Sequence, residues 1–406
     1  MSENNKREIW FFNQYASTPE YGIPGRHYYF GREMSKLKFI VKIFAANNSH
    51  LNIKEKKAGN FKEKINSRFS IFFLSTFKYR SSQSPWRIIN WFIYSLHCIF
   101  LPFRVKSKPD YIVYSSPSLL GVFSAFLLAK YYGAKLVFDV RDIWPLTLIE
   151  LGGFSRHNPL IWFMSLIEKF AYKRSDQIIS NVPLFKIYID ELIGLGDKVK
   201  IIPNGIDLDE FVPSPVFHAD KLEKILKDKF VVGYVGTIGI ANAVDTLIEA
   251  ASKIQNKEVH FLIVGNGSEL ASIKELSKNM SNITFLDAVQ KSQVASVLEF
   301  IDVGYLAQLP KEMYRYGLAS IKIPEYLIMG KPVIHMTDFW SPVAEKEFGS
   351  VIRFGDTDTF LEAIAKHQGL KNNKLKIFRE DAHLYAVDNY DYKKIAEKLI
   401  DTLNNI

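Results

Sequence analysis

Short apolar stretches of strand length alternate with segments of helix length along most of this chain, and the pattern occurs twice. In the first half, the predicted strands begin with residues 9–13 and 39–45. In the second half, residues 230–234 and 259–264 each run directly into a loop that contains glycine. Strands separated by helices favour parallel sheets with crossover helices. The sequence therefore predicts an α/β chain with two doubly wound, Rossmann-like domains that face each other across a cleft.

The domain boundaries follow from turn-forming and charged stretches. The chain has 406 residues, enough for two domains of ordinary size. Turn residues from Ile202 to Asp207 close the first half, and a stretch rich in proline and charge follows them. We predict a first domain at 1–207, a linker at 208–229, a second domain at 230–389 and a terminal amphipathic helix at 390–406.

The positive charge is concentrated in residues 51–108, which form a predicted insertion in the first domain. The insertion has twelve lysines and arginines against two glutamates, a net charge of +10, whereas the whole chain has +9. Aromatic residues lie between these cations, which suits an anionic membrane surface. Nucleic acid would also attract the charge, but no recognised nucleic-acid motif accompanies it, and we expect no such partner. A solvated helical insertion would give the same composition.

No segment predicts export or a membrane span. The most apolar stretch, residues 88–103, is short and is interrupted by polar residues and Pro102. The first ten residues contain no apolar run, so we expect no signal peptide. Cys98 is the only cysteine, which excludes an internal disulfide and suits a reducing compartment. We therefore expect a cytoplasmic protein that is peripheral at the inner face of the cell membrane.

Residues 316–334 combine signals for a loop, a short helix and a buried strand. Ser320 can cap the start of the helix, and Gly330 can end it in the left-handed conformation. Free N–H groups near Ser320 would attract an anion, to which Lys322 adds a full positive charge. Glu325 could accept two hydroxyl groups at once, as a ribose presents them. These residues predict a nucleotide-sugar site, but a well-capped helix with a solvated glutamate would have the same pattern.

Two polar segments follow predicted strands in the first half. The loop after the first strand contains Gly22 and Gly25, whose backbones could approach a substrate closely, because open α/β sheets bind ligands at this edge. A later strand ends in Asp139-Val-Arg-Asp-Ile-Trp-Pro145, where charged groups are costly to bury without a purpose. Turn geometry alone would also explain the glycines, and Arg141 and Asp142 could simply form a salt bridge that caps the next element.

In this order and spacing, the motifs resemble those of the GT-B glycosyltransferases of family 4, and of its branch that builds O-antigen and capsule repeat units. The resemblance covers nearly the whole chain. The motifs that carry it are Pro19-Glu-Tyr-Gly-Ile-Pro-Gly-Arg-His27, Arg141-Asp-Ile-Trp-Pro145, Ile202-Pro-Asn-Gly-Ile-Asp207, Tyr234-Val-Gly-Thr-Ile-Gly239, Val264-Gly-Asn-Gly267, Lys322-x-x-Glu-Tyr and Gly330-Lys-Pro-Val-Ile334.

The resemblance implies a retaining glycosyltransferase of the hexosyltransferase or N-acetylhexosaminyltransferase class. It would move a sugar from a nucleotide diphosphate sugar, UDP-linked by family frequency, to a lipid-linked saccharide. The second domain would bind the donor, the first the acceptor, and the last helix would cross back to the first domain.

The resemblance also assigns roles to residues of both domains. The leaving phosphate would take the acceptor proton, with Asp142, Arg141 and Lys322 as the catalytic residues. The donor site would comprise Gly236, Thr237, Ser320, Ile321, Lys322, Glu325 and Val289, and the acceptor and diphosphate loop would comprise Gly22, Gly25, Arg26 and His27.

The chain departs from the family pattern in three places. The family often has two glutamates eight positions apart, and Glu325 matches the second whereas Gly317 stands at the first. The loop at 237–242 lacks the arginine and lysine that often bind the diphosphate, so Lys322, backbone amides, Arg26 or Arg141 would have to meet its charge. The histidine that many members have near the position of Arg141 is absent as well.

We expect no cofactor and no metal requirement. Asp356 and Asp358 match a two-aspartate pattern but lie in a predicted surface turn. Two other functions fit the architecture. A sugar-nucleotide epimerase would act on the nucleotide sugar alone and would not need the basic segment. A non-catalytic sugar-binding module would usually be exported, and no signal peptide is expected here.

Overall fold

The computed structural model describes residues 7–79, 84, 86–216, 219–370 and 372–406. The chain divides into two compact units. Unit 1 comprises Met1–Asn204 together with Tyr392–Ile406, and unit 2 comprises Gly205–Asp391. Each unit contains one mostly or wholly parallel sheet with helices packed on it, so each has the doubly wound α/β architecture that the alternating pattern predicts.

Unit 1 is built on an eight-stranded sheet with the order β3-β4-β2-β1-β5-β6-β7-β8. All neighbouring strands are parallel except β3 and β4, which are antiparallel. The strands are β1 Glu8–Phe12, β2 Ile40–Ala46, β3 Phe61–Lys64, β4 Phe69–Leu74, β5 Tyr111–Ser115, β6 Lys135–Val140, β7 Gln177–Ser180 and β8 Val199–Ile201.

Helices cover both faces of this sheet, because side chains that alternate along β1 are buried on each side. Helix α5 shows why such segments form helices: Asn158 caps it by accepting from the Leu160 N–H at 2.9 Å, and Pro159 follows at the first position. The first six helices are α1 Arg26–Lys36, α2 Trp86–Ile99, α3 Val122–Tyr132, α4 Leu146–Glu150, α5 Pro159–Arg174 and α6 Phe185–Ile193.

The basic segment 51–108 is not a solvated helical insertion. It contains strands β3 and β4, and β4 pairs in parallel with β2 inside the sheet. The physical reason is the apolar sequence Phe-Ser-Ile-Phe-Phe-Leu of β4, in which all but one of the side chains are buried. Only the part from α2 onward is helical. Arg80, one of the twelve cations, lies outside the described residues.

Unit 2 is built on a six-stranded, wholly parallel sheet with the order β11-β10-β9-β12-β13-β14. Its strands are β9 Phe230–Val235, β10 Val259–Val264, β11 Ile283–Leu286, β12 Val303–Ala307, β13 Val333–Met336 and β14 Gly349–Ile352. Its helices are α7 Ala219–Leu226, α8 Asp245–Lys253, α9 Leu270–Leu276, α10 Val294–Glu299, α11 Lys322–Ile328, α12 Pro342–Glu345, α13 Thr357–Gln368 and α14 Asn372–Tyr390.

Residues 208–229 do not form an open linker. Phe211 and Val216 are buried, as are Leu222 and Leu226 of α7, and all four belong to the hydrophobic core of unit 2. Proline and charge in this stretch favoured a linker, but its spaced apolar side chains supply enough buried surface to order it. The chain therefore enters unit 2 at residue 205 and remains in it up to residue 391.

The chain returns to unit 1 through the last helix, α15 Tyr392–Asn404. Its apolar residues recur at helical spacing, and Ile395, Leu399 and Leu403 are buried in the core of unit 1. The Tyr392 ring stacks on Tyr29 of α1 with 4.5 Å between centroids. Helix α15 is therefore an integral part of unit 1. Nowhere in the described residues is there a helix both long enough and apolar enough to span a bilayer.

Candidate functional site

The sheet of unit 2 has a switch point between β9 and β12. From β9 the chain builds β10 and β11 on one side, and it then returns to build β12, β13 and β14 on the other. The loops after β9 and β12 therefore diverge at the carboxyl edge and leave the crevice in which doubly wound sheets bind ligands. Gly236 directly follows β9, and the segment that leads into α11 follows β12.

Lys322 lies across Gly236 at this switch point. A Cβ at position 236 would collide with Lys322 Cε, and the φ of +148° also favours glycine there. The ammonium lies 5.5 Å from the centroid of the Tyr234 ring. Burial lowers the pKa of Lys322, and no carboxylate of the described chain opposes this effect. A partly buried cation with no anionic partner among the described residues is chemically suited to contact an anionic group.

The start of α11 differs in detail from the predicted anion site. The helix begins at Lys322, and the Ser320 hydroxyl accepts from the Lys322 N–H at 3.1 Å. One of the N–H groups that we expected to be free is therefore already bonded. Ile321 takes the N-cap position, and its carbonyl accepts from the Glu325 N–H at 3.1 Å. The predicted end of the helix is confirmed, because Gly330 has a φ of +62°.

Glu325 is not the solvated glutamate of the alternative interpretation. Its side chain is buried and forms an ion pair with Lys291, whose ammonium also lies 5.6 Å from the centroid of the Phe211 ring. Lys291 begins the turn that follows β11, two residues after Val289. The ion pair therefore joins α11 to the segment that carries Val289. Lys291 was missed because it lies 34 residues before its partner.

Two glycine loops lie side by side at the same edge. The Ile238 N–H donates to the Asn266 carbonyl at 2.9 Å, and a Cβ on Gly265 would collide with the Gly236 carbonyl oxygen. Thr237 is exposed, and its carbonyl accepts from the Tyr234 hydroxyl. The close approach that glycine permits here is therefore between two segments of the protein, which fixes the position of the Gly236 loop.

Gln308 also belongs to this edge and was not predicted. It is buried immediately after β12, and its amide oxygen accepts from the Thr337 hydroxyl at 3.1 Å. Its amide nitrogen has no partner among the described residues. A glutamine that directly follows a fully apolar strand is the sequence signal that would have identified it. Gly317, which replaces a family glutamate, has a φ of +89°, a conformation that glycine adopts most readily.

A buried charged cluster lies at the corresponding edge of the sheet in unit 1. The two oxygens of Asp139 lie 2.9 Å from His27 Nε2 and 3.8 Å from Arg26 Nη1. Burial alone would raise the pKa of Asp139, but Arg26 and then His27 hold it well below its usual range. Burial lowers the pKa of His27 in spite of Asp139, and Asn13 contacts its other nitrogen at 2.8 Å.

Arg26 and His27 are therefore not residues of a substrate loop. They are the first two residues of α1, both are buried, and the Arg26 guanidinium donates to the Ile202 carbonyl at 2.7 Å. Both side chains are used inside the unit, because the buried Asp139 needs the charge of Arg26 and the hydrogen bond of His27. Gly22 approaches the Leu51 carbonyl of its own chain, whereas Gly25 has open space around it at the N-cap of α1.

Arg141 and Asp142 follow β6 at the same edge of unit 1. They form no ion pair with each other in the described part of the chain. The Arg141 N–H instead donates to the Ser116 hydroxyl at 2.9 Å. Asp142 is exposed at the surface, yet neighbouring segments desolvate its carboxyl and raise its pKa, whereas the cations Arg141 and Arg87 lower it. Asp142 is thus a carboxylate at an open edge beside two cations.

The two-aspartate pattern has a local structural role. Asp356 is the N-cap of α13, and its side chain accepts from the Thr359 N–H at 3.0 Å and from the Thr359 hydroxyl at 2.8 Å. Within the described ranges, no group of three or more histidines, cysteines, aspartates or glutamates is arranged to hold a metal ion.

Two family models match the chain and together cover both units. The model for Glycosyltransferase Family 4 matches residues 27–210, and the model for Glycosyl transferases group 1 matches residues 229–368.

Curated relatives are similar to the chain over part of its length. The capsular polysaccharide biosynthesis glycosyltransferase CapM of Staphylococcus aureus is 26% identical over 276 residues, which are 64% of this chain and 68% of CapM. The Escherichia coli UDP-Gal:alpha-D-GlcNAc-diphosphoundecaprenol alpha-1,3-galactosyltransferase is 25% identical over 253 residues, 58% of this chain and 62% of that enzyme. The chain spans about half the length of two other relatives that it matches, 46% and 54%.

Solved structures share the fold over the whole chain. The structure of HepE from Anabaena in complex with UDP-glucose has a TM-score of 0.66, and the match covers 98% of this chain and 100% of HepE at 14% identity. This degree of identity shows the fold alone. The shared fold, the two family models and the two parallel-sheet units agree on one classification. The chain belongs to the family 4 glycosyltransferases and has the GT-B fold.

Proposed function

We propose that this protein is a retaining glycosyltransferase. It transfers a sugar from a UDP-linked donor to a lipid-linked saccharide during the synthesis of a bacterial surface polysaccharide. The observation that carries the proposal is the placement of Lys322 across Gly236, with Glu325 one turn further along α11, at the switch point of unit 2. The E. coli and S. aureus relatives support the acceptor class and the polysaccharide.

The donor would bind in unit 2. Its diphosphate lies against the Lys322 ammonium and the Gly236 loop, where burial makes each charge interaction stronger than in water. Glu325 accepts from the ribose hydroxyls, and its ion pair with Lys291 orients the carboxylate. The segment with Val289 lies beside the base. The complex of HepE with UDP-glucose supports uridine as the nucleoside.

The reaction needs stabilisation of the leaving diphosphate as its charge grows. The bond between the sugar C1 and the phosphate oxygen breaks, and its electron pair stays on that oxygen. Lys322 opposes the developing charge, which is the effect that lowers the barrier in such reactions. The acceptor oxygen bonds to C1 on the same face, and its proton passes to the phosphate oxygen. The anomeric configuration is therefore retained without an enzymatic nucleophile.

The acceptor would bind at the open edge of unit 1. Asp142 orients the acceptor hydroxyl by accepting from it, and Arg141 offers a cation to phosphate. Arg26 and His27 support this edge only indirectly, because both side chains already contact the buried Asp139. The reaction needs no metal ion, since Lys322 supplies the charge that a cation would supply. We place the enzyme in the cytoplasm, at the inner face of the membrane where a lipid-linked acceptor is available.

Incubation with labelled UDP-sugars, with and without a lipid-linked saccharide, tests the proposal. We expect label to enter the lipid fraction only when the acceptor is present, and NMR of the product to show the anomeric configuration of the donor. Conversion of the nucleotide sugar without acceptor would instead identify an epimerase. A folded protein that binds the nucleotide sugar but transforms none of the donors would be a binding module.

A further inference from the structure

Three helices of unit 1 form the outer layer over one face of its sheet. Helix α2 packs on α3, and α3 packs on α5. The Ser124 hydroxyl of α3 donates to the Ser95 carbonyl of α2 at 2.9 Å. The Phe170 ring of α5 lies 4.9 Å from Phe123 and 5.4 Å from Phe126 of α3, measured between centroids. The outward sides of these helices are therefore neighbours on one surface.

This outward surface is apolar along all three helices. Helix α2 exposes Ile88, Phe92 and Leu96, and α3 exposes Phe123, Leu127 and Tyr131, in both cases at intervals of four residues. Helix α5 exposes Trp162, Phe163 and Leu166. The exposed fractions include 55% for Leu127 and 63% for Trp162, and Phe103 after α2 is 86% exposed. We call these residues the apolar face.

A helix at the surface of a water-soluble protein normally turns polar side chains outward. Each of the three helices does bury a second set of side chains toward the sheet. Tyr94 of α2 donates from its hydroxyl to the Phe44 carbonyl at 2.7 Å, and the Tyr172 ring of α5 lies 5.7 Å from Phe138. The core is therefore complete without the apolar face, and contiguous exposed patches of this kind mark interaction sites.

The exposed charges on the three helices have one sign. Helices α2 and α3 contain no aspartate or glutamate. The only acid of α5, Glu168, is buried and accepts from the Tyr172 and Tyr188 hydroxyls at 2.9 and 2.8 Å. Burial raises the pKa of Glu168 to about 8. Exposed cations lie in α3 and α5 and in the segment that follows α2: Arg104, Lys106, Lys108, Lys130, Lys173 and Arg174. Two exposed acids lie nearby, and their carboxylates are bonded within unit 1: Asp110 accepts from the Glu8 N–H and Asp176 from the Leu136 N–H.

We infer that the apolar face is a docking surface for an anionic lipid bilayer. Aromatic and aliphatic side chains of α2, α3 and α5 would enter the headgroup region, while the exposed cations contact the lipid phosphates. This is the arrangement by which proteins lie on a membrane without crossing it. A protein partner would instead be expected to offer carboxylates to those cations, and a second copy of this chain has only more cations there.

The face continues to the proposed acceptor edge. Arg87, in the first turn of α2, donates from Nε to the Tyr15 hydroxyl at 3.0 Å, and its guanidinium lies 5.9 Å from the Trp144 ring centroid. Trp144 is two residues after Asp142. A bilayer bound to α2 would therefore hold a lipid-linked saccharide beside Asp142. This step rests on the proposed function, whereas membrane docking itself does not.

The docking surface differs from the lysine-rich part of residues 51–108. Lys54 is paired with Glu20, and the ammonium groups of Lys56 and Lys62 lie 4.4 and 5.1 Å from the ring centroids of Phe73 and Phe72. These lysines have partners on the protein, and the apolar residues that would enter a bilayer lie on the three helices. The two regions can be separated by substitution.

Sedimentation of the full-length protein with vesicles tests the inference. Vesicles of phosphatidylglycerol and phosphatidylcholine are compared with vesicles of phosphatidylcholine alone, with no sugar donor present. The face variant carries Phe92→Ser, Leu127→Ser and Trp162→Ser. The matched control carries Ile187→Ser, Leu276→Ser and Leu384→Ser, which are 46%, 59% and 60% exposed outside the face. A third variant carries Lys57→Glu, Lys62→Glu and Lys64→Glu.

We expect the wild type and the matched control to bind anionic vesicles equally. The face variant should bind them at least tenfold more weakly, whereas the affinity of the lysine variant should fall less than threefold. Equal binding by the face variant would overturn the inference, as would loss of binding in the lysine variant alone. A wild-type dimer that the face substitutions convert to a monomer would assign the face to a second copy instead. Because no donor is present, failure here leaves the proposed transfer reaction intact.

A labelling experiment does not depend on the stability of the face variant. The native Cys98 is buried, so a cysteine introduced by Leu127→Cys can be labelled with an environment-sensitive fluorophore. We expect its emission to shift to shorter wavelength when anionic vesicles are added. The same label introduced by Ile187→Cys should not shift. A shift at position 187 without one at 127 would place the membrane contact elsewhere.

Discussion

Lys322 and Gly236 occupy their positions together, since a side chain at 236 would displace the lysine. Lys322→Ala should lower kcat about 100- to 1000-fold, the usual effect of removing one group that stabilises a developing negative charge. KM should change less than about threefold, because the charge on the leaving group grows in the transition state.

Lys274→Ala is the control, because its ammonium also lies near an aromatic ring, 5.8 Å from the Phe285 centroid. Steady-state kinetics of both variants decide the role. A rise in KM at constant kcat would mean that Lys322 only holds the ground-state diphosphate.

Glu325 is buried beside Lys291. In the proposed donor site, its contribution to ribose binding would be a charged hydrogen bond in a sheltered position. Such bonds are worth roughly 1.5–3 kcal/mol, so Glu325→Gln should reduce kcat/KM by about 10- to 100-fold. The exposed Glu362 of α13 provides the control, Glu362→Gln. Unchanged kinetics in a folded Glu325→Gln variant would remove this residue from the donor site.

Asp142 belongs to the acceptor side in the proposed reaction. Asp142→Asn should therefore reduce transfer about tenfold or more, because a neutral amide would orient the acceptor hydroxyl through a weaker hydrogen bond than a carboxylate does. UDP affinity, measured by calorimetry, should stay within about twofold of the wild type. Asp197→Asn, at an exposed position of the same unit, should change neither quantity. A parallel loss of UDP affinity would contradict the acceptor assignment.

At this scale, the sequence predicted residues whose role is local. Lys322, Glu325 and Gly330 lie within one helix and its ends, where capping rules apply directly. The sequence did not predict the roles of Lys291 and Gln308, or the contact of Asp139 with Arg26. Each of these depends on which strand ends meet at a sheet edge. Arg26 also shows the limit of a motif, since its charge is used by Asp139 rather than by a substrate.

At the scale of elements, prediction succeeded where apolar spacing is strong. Helix α15 has large buried side chains at regular intervals and was recognised, with its start placed two residues early. Helix α14, with 19 residues, was missed, because two of its core residues are the small Ala382 and Ala386. Strands β3 and β4 were hidden by the surrounding lysines. Small core residues therefore hid one helix, and surrounding charge hid two strands.

Strand β13 carries an uncharged histidine whose titration should affect stability. His335 is buried, contacts the Ser341 hydroxyl at 2.8 Å, and burial lowers its pKa to about 4. Below pH 6.5 the unfolded chain binds a proton at this position, and the folded chain does not. Stability should therefore decrease as pH falls from about 6.5 to 4, by about 2–3 kcal/mol from this residue.

Guanidinium unfolding of the wild type and of His335→Gln at pH 7 and pH 4.5 measures this contribution. The substitution should make the loss of stability between the two pH values smaller. An identical loss in both proteins would show that His335 does not titrate differently in the folded and unfolded states.

At the scale of the whole molecule, the alternation of strands and helices occurs twice, and this was enough to predict two doubly wound units. It did not fix the place of residues 208–229, which became part of the core of unit 2. The order of strands in each sheet depends on long-range pairing, which the spacing of residues along the chain does not encode. The same pairing determines which polar side chains meet at the carboxyl edge of each sheet.

The whole reaction should proceed without a divalent cation. EDTA should leave the rate of transfer within about twofold of the untreated rate, because Lys322 and backbone amides can meet the charge of the diphosphate. The comparison uses the full-length enzyme with donor and acceptor at saturation. Loss of activity in EDTA that magnesium or manganese restores would contradict a metal-independent mechanism.

The return of α15 to unit 1 determines the order in which the molecule can form during synthesis. Unit 2 is one continuous stretch, so all of its residues have been made before α15 is translated. Unit 1 lacks Ile395, Leu399 and Leu403 until α15 has been translated. Domains usually complete in order from the N-terminus as they leave the ribosome. For this chain we expect the reverse order, with unit 2 able to complete first and the apolar surface of α1 left uncovered until α15 has been made.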